Sequence, residues 1–542
     1  MKKNIIFGAI AALMLTSCIG DLEQAPMAGN IVNGVYENEA SRMSALAKVY
    51  GGFTLTGQGG AGSTDIDVSD SGASEFLRAW WSIQTISTDE AKCVWGDSWV
   101  AEVGGNKWSN VKNDAIYATY TRAMMMVSFA NDFLRNTNDK NEEIAIERTE
   151  VRFLRAFAYW VLLDCYGNPP FVLEDSSVGA TNSKQISRAD LFAWLKSELE
   201  DLVSADSKMK APHTQVYPRV DKGAAYGLLA RLCLNHKTYI GREDSSIYAT
   251  AAAAADEVIA AYDLAENYNA LFMGDNGENP DALSEIVYAT CYDATRTQSY
   301  GGTSFFILAG KGTQYSLGVD GNWNGLVTST DAVKVFNINV DGAAVRKGDV
   351  AGDGADVFTK VDKRALVSLE ESDEKEINNK DFPKGWHVVK YNNNRFLDPE
   401  TDYSKIEKFS SVDFPLIRAG EMYLVYAEAM ARKDGGQTSD AKAVEYMKAL
   451  QARAGMTAPT VTGSTVSLDQ IFDEISREMF WEGHRRTTLI RFDRYSSANY
   501  LWPFKGGVAN GVGFEKYMEL FPLPSDDLLA NDNLTQNPGY NQ

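Results

Sequence analysis

Charged residues set inside apolar helical periods constrain this chain more than any other feature. From Glu142 to Cys165, Val151, Leu154, Phe157, Val161 and Cys165 recur three or four residues apart, the spacing of one helix face, and Gly167 with Pro169-Pro170 ends the run. Arg152 and Arg155 lie inside it, and Glu428, Arg477, Glu478, Glu482, Arg485 and Arg486 sit in similar surroundings further on. Charges are tolerated in a core only when paired, and arginine suits bidentate pairing with carboxylates. These residues are therefore expected to hold a helical scaffold together.

More helices follow the same logic. One opens at Asn113; Ser187 with Asp190 resembles a capping box at the start of another; residues 222–235 carry small residues that allow close approach; and 247–262 is alanine-rich. Helices are also predicted over 418–432, 440–453 and 468–481. Hairpins in series suggest a mainly α fold, a tetratricopeptide-like scaffold whose spacing is too irregular for a strict repeat. Residues 51–112 and about 290–415 are rich in Gly, Asn, Asp and aromatics, with short strands such as 285–289. Their aromatic content argues against disorder, so they read as an ordered, loop-rich region over the helices. Residues 41–542 form one unit in this reading, with the helical scaffold at about 113–262 and 415–495.

The N-terminus reads as an address. Lys2 and Lys3 precede an apolar run from Ile5 to Leu15, and Leu15-Thr16-Ser17-Cys18 closes it. The run is too short to span a bilayer and fits a secretory signal ending in a lipidated cysteine. Residues 1–17 are thus the lipoprotein signal, Cys18 the lipidation site, and 18–40 a polar tether bearing Asp21 and Glu23. A net charge of −21 argues against nucleic acid and against a polybasic membrane contact, leaving the lipid as the anchor. Cys93, Cys165, Cys233 and Cys291 show no CxxC spacing, so neither a zinc site nor a disulfide scaffold is indicated, and their pairing stays open.

Catalytic and cofactor motifs fail on inspection. Residues 57–62 fit GxGxxG, but no helix pattern follows; 309–313 lacks the Ser/Thr of a phosphate loop; no HExxH or GxSxG occurs. Residues 65–75 resemble a calcium loop only loosely, with Phe76 where the bidentate Glu belongs, and Asp275 and Glu278 read as a solvated turn before a calcium site. No cofactor is required, no metal site is predicted, and nothing singles out a catalytic pair.

Four segments carry a family resemblance: EVRFLRAFAYWVLLDCYGNPPF (150–171), DFPLIRAGEMYLVYAEAMAR (413–432), EISREMFWEGHRRTTLIRFDRY (474–495) and LFPLPSDDLLANDNLTQNPGY (520–540). They resemble, in order, the signature segments of the SusD/RagB family of outer-membrane glycan-binding lipoproteins; Thr488 departs from the usual Asp. The resemblance implies a cell-surface, lipid-anchored protein that captures glycan and passes it to a TonB-dependent transporter of the SusC type, without enzymatic activity. A peptide-capturing role, or a glycoside hydrolase, is the alternative.

Sugar rings pack their C–H faces on aromatics while their edges need hydrogen bonds, so loop aromatics are the candidate platforms: Trp95, Trp99, Tyr300, Trp323, Trp386 and Trp502. Trp80 and Trp81 read as packing. Leu271-Phe272-Met273, Ser299–Gly302 and Tyr500-Leu501-Trp502 also resemble the family's starch-binding member. That likeness implies an aromatic arc of Trp95, Tyr300 and Trp323 for an α-glucan helix, polar contacts from Asp70 and Arg78, and Ser98 in place of a longer Asn. Trp99 is left between a fourth platform and packing.

Overall fold

The computed structural model describes residues 35–176, 179, 182–313, 315–336, 362–368, 385–398 and 407–540. The signal, Cys18 and most of the tether lie outside the described residues. The tether read to residue 40 is in fact folded from Tyr36, whose hydroxyl donates to Asp132 at 2.6 Å and whose ring meets Phe133 edge-on. An apolar ring with a polar tip finds both partners on the neighbouring helix, which a polar composition did not suggest.

The helices that build the molecule are α1 (Glu39–Gly51), α2 (Phe76–Trp81), α3 (Ser98–Gly104), α4 (Asp114–Asn136), α5 (Glu142–Cys165), α6 (Arg188–Val203), α7 (Lys222–Leu234), α8 (Ser245–Ile259), α9 (Gly302–Gly310), α10 (Ala419–Lys433), α11 (Ala441–Arg453), α12 (Leu468–Glu478) and α13 (Arg485–Arg491). Helices α4 to α8, α11 and α12 each begin after an Asn, Asp or Ser whose side chain accepts an N–H of the first turn. From α4 to α8, each helix packs on its chain neighbour; α8 then packs on α10, which packs on α11 and α12. Two helical blocks distant in sequence thus form one array, and the chain between them is an excursion over it.

A two-stranded ladder ties the excursion down. β2 (Ile286–Thr290) runs antiparallel to β4 (Phe414–Arg418), from Ile286 opposite Arg418 to Thr290 opposite Phe414. Residue 227 on α7 is glycine because a Cβ there would come within 2.6 Å of Ile417 on β4. A smaller ladder pairs β1 (Lys92–Cys93) with β3 (Leu326–Val327). The two loop-rich stretches are less irregular than their composition suggests, because α2 before the array and α9 in the excursion are helices buried on every residue. GTSFFILAG is apolar all round, so its sequence carries no amphipathic period to read.

The embedded charges meet as expected. Arg364, Lys390, Arg418, Arg453 and Arg477 pair with Glu285, Asp362, Glu474, Glu478 and Glu482 in one connected lattice with no side chain more than 5% exposed. Burial opposes the charge of Glu478, yet Arg453, Arg418 and Arg364 together hold it well below the usual carboxylate range. Elsewhere Arg155 pairs with Glu174, Arg485 with Asp89, and Arg432 and Arg491 share Glu428. The lattice recruits Asp362, Arg364 and Lys390 from the excursion and so locks it to the helices. All four cysteines of the described residues are free.

Candidate functional site

Three rings converge where the excursion turns over α2. Trp95 lies just past β1, Tyr300 just before α9, and Trp323 just before β3. Trp323 is central: its ring centroid is 6.3 Å from that of Trp95, with planes 61° apart, and 5.9 Å from that of Tyr300, with planes 50° apart. The three half-buried rings therefore step along a curve. Two of them are pinned, one by its ring and one by its backbone: the indole N–H of Trp95 donates to the Asn324 carbonyl at 2.8 Å, and the backbone N–H of Trp323 donates to the Leu308 carbonyl of α9 at 2.8 Å.

Arg78 of α2 stands behind the rings. Its guanidinium carbon is 5.7 Å from the Trp95 centroid, 6.0 Å from that of Trp323 and 4.7 Å from that of Phe305 beneath. Its Nη2 meets Asp70 at 2.5 Å and its Nη1 donates to the Tyr300 carbonyl at 3.1 Å. The Arg78 side chain is 3% exposed and that of Asp70 is 41% exposed, so the carboxylate is the part of this pair that reaches solvent. Ser98 is exposed at the first residue of α3, and among the described residues no hydrogen bond joins it to the rings.

A buried carboxylate missing from the sequence reading sets the spacing. Glu75 caps α2 by accepting the Arg78 N–H at 2.8 Å, and it also accepts the Gly302 N–H at 2.8 Å and the Tyr292 hydroxyl at 2.7 Å. One side chain thus joins the start of α2, bearing Arg78, to the start of α9, next to Tyr300. Burial raises its carboxyl above the ordinary value against these hydrogen bonds. Gly301-Gly302 is required here: a Cβ on residue 301 would lie 2.5 Å from the Glu75 Cβ, and residue 302 has φ +53° with the Tyr292 ring 2.3 Å from its would-be Cβ. The Tyr-Gly-Gly sequence was visible; its dependence on Glu75 was not, because the two lie far apart in the chain. Lys408 was also missed; it is exposed, with its Nζ 5.7 Å from the Tyr300 centroid.

Other candidate rings belong to the core. Trp386 is fully buried with its indole N–H on the Thr330 hydroxyl, and Trp502 is 4% exposed beside Tyr495. Trp99 is likewise 4% exposed and packs beneath the loop, while Trp80 and Trp81 are core residues. Neighbouring Gly or Pro misled the reading, because these loops fold inward. The three aspartates of the loose calcium motif each face a cation: Asp65 meets Arg122, Asp67 meets Lys112, and Asp70 meets Arg78. Asp275 accepts the N–H groups of Phe396 and Leu397, and Glu278 pairs with Arg395. Among the described residues no group of His, Cys, Asp and Glu has the arrangement to hold a metal.

A helical-hairpin array carrying a curved, half-exposed ring cluster over an arginine–carboxylate pair defines a class of surface-binding scaffold. The chain matches the models of the SusD/RagB family at both ends: that of the SusD family over residues 355–540, and that described as "Starch-binding associating with outer membrane" over residues 36–234. It is 29% identical to the starch-binding protein SusD of Bacteroides thetaiotaomicron, across 99% of both chains. Its fold matches a SusD superfamily protein of Parabacteroides distasonis with a TM-score of 0.68 at 18% identity, covering 93% of this chain and 99% of that one. It also matches surface glycan-binding protein A of Bacteroides thetaiotaomicron, solved with laminarihexaose, with a TM-score of 0.67 at 17% identity, covering 92% and 99%.

Proposed function

We propose that this chain is a cell-surface lipoprotein that captures starch or related α-glucan chains on Trp95, Trp323 and Tyr300 and passes them to a TonB-dependent outer-membrane transporter of the SusC type. The observation that carries this reading is the curve of the three rings, each turned by 50–61° from the next, which suits a helical glucan and leaves a flat β-1,4 ribbon touching fewer faces. Asp70 offers acceptors for hydroxyls at the edge, and Arg78 holds it and Tyr300 in place. Ser98 would serve as a short polar contact beside Trp95. The full-length likeness to a protein named for starch binding supports the ligand class. One chain end gains little on three rings; repeats along a polymer raise the effective concentration of the next contact.

The chain then binds without hydrolysing, and Cys18 supplies the anchor. Affinity electrophoresis through amylopectin tests the reading: the wild-type protein is retarded and Trp323→Ala runs as in an empty gel. Equal retardation of both would discard the proposed surface, and release of reducing sugar by the purified chain would favour the hydrolase.

A further inference from the structure

Among the described residues, every buried or half-buried arginine has a carboxylate within 4.0 Å, with one exception, Arg188. In a chain of net charge −21, a lone guanidinium is unusual. Arg188 opens α6 with its orientation fixed: Nε donates to the Leu163 carbonyl at 3.3 Å, Nη1 to the Thr238 carbonyl at 3.1 Å, and the group lies 5.0 Å from the Tyr239 centroid. Those bonds staple helix ends and use two of its three nitrogens. Nη2 makes no hydrogen bond and is not among the enclosed atoms, so it opens on the cavity that Arg188 lines. Partial burial without a carboxylate partner pulls this guanidinium below its ordinary value, whereas Arg485, buried but paired with Asp89, is raised.

The cavity measures about 390 Å3 and also takes in Lys237, Lys516, Asp493, Glu519 and Tyr517. Lys516 and Tyr517 are exposed, and the Tyr517 ring is held edge-on by Tyr540. Lys237 faces Glu243 only at 4.0 Å, and Glu519 already accepts the Ser496 hydroxyl. A preoriented guanidinium, two further cations, carboxylates able to accept hydroxyls and an open ring at the mouth together match a small polar ring that bears one negative group.

We propose that this cavity is a second saccharide site, taking a sugar that carries a carboxylate or sulfate group, with Arg188 receiving the oxyanion and Tyr517 the ring. The site shares no residue with the aromatic cluster and does not depend on it. Titration calorimetry and saturation-transfer NMR on the soluble chain test it with D-glucuronate, glucose 6-sulfate, glucose and sodium sulfate. Both acidic sugars are expected to bind and glucose to bind at least about tenfold more weakly, the scale of one charge-assisted hydrogen bond. Arg188→Gln should abolish acidic-sugar binding; Lys516→Gln and Tyr517→Ala, at exposed positions that leave the fold intact, should weaken it severalfold. Trp323→Ala should bind acidic sugars as the wild type does, which separates this site from α-glucan capture. Equal binding of glucose and glucuronate overturns the proposal. So does sulfate binding as well as glucose 6-sulfate, or unchanged affinity in both Lys516→Gln and Tyr517→Ala.

Discussion

Carboxylates are buried both in the ion lattice behind α12 and under the ring cluster, and the two regions treat them in opposite ways. In the lattice Glu478 faces three guanidiniums and is held well below its ordinary value. Glu75 under the rings, and Asp413 joined to it through Tyr292, have among the described residues N–H and O–H partners and no cation; burial raises both, Asp413 to about 6. The lattice spends its hydrogen-bonding capacity on itself and presents nothing to solvent. The ring region instead uses its buried acids to aim backbone and leaves the Arg78-paired Asp70 and three half-buried rings partly open to solvent. Charge density therefore marks the scaffold, and the binding surface is marked by what the scaffold leaves unsatisfied.

Breaking the lattice should produce the largest effect. Arg418→Ala leaves Glu285, Glu478 and Glu482 short of a partner at once, and stranding buried charge costs about 3–5 kcal/mol. That is a large share of typical domain stability, so little folded protein is expected by circular dichroism and thermal melting. Trp323→Ala should do the reverse, removing the middle ring for a stability cost of no more than about 2 kcal/mol while amylopectin retardation is lost. Gly302→Ala falls between: its positive φ and the Tyr292 ring cost about 1–2 kcal/mol, and displacement of Tyr300 should weaken retardation severalfold without abolishing it.

The sequence read the first region well and the second only in part. Helices α4 to α8 and α10 to α12 were legible because their apolar faces repeat at helical spacing and, for all but α10, their caps are Asn, Asp or Ser. The lattice was half legible: Arg477, Glu478 and Glu482 stood out inside helices, whereas Arg364 and Lys390 sit in non-periodic chain that only tertiary structure brings inward. Asp70, Arg78, Trp95, Tyr300 and Trp323 were reached through family likeness, and the structure brings them together. Ser98 is exposed at the start of α3, and Trp386 and Trp502 turn out to be core. A ring beside glycine looks the same in sequence whether its loop folds in or out. Glu75 left no local signal, since its work is to join segments more than two hundred residues apart.

Two smaller effects sharpen the contrast. Asp70→Asn should leave stability within about 1 kcal/mol, as expected for a pair with one exposed partner, and weaken α-glucan binding modestly. Asp413 gives a pH signature the lattice lacks. Its folded value, about 6 against an ordinary 3.8, means the fold favours its protonated form. That contribution is fully present below about pH 4 and is lost as pH rises through about 6. Denaturant melts from pH 4 to 7 should show wild-type stability falling relative to Asp413→Asn over that window.

The central claim is that the exposed curve of Trp95, Trp323 and Tyr300 is the glycan surface. A crystal structure of the chain soaked with maltoheptaose addresses it most directly. The account predicts glucose rings lying against these three side chains, with Asp70 at a hydroxyl and Arg78 still bonded to the Tyr300 carbonyl. An oligosaccharide seated elsewhere, with these rings bare, would contradict it.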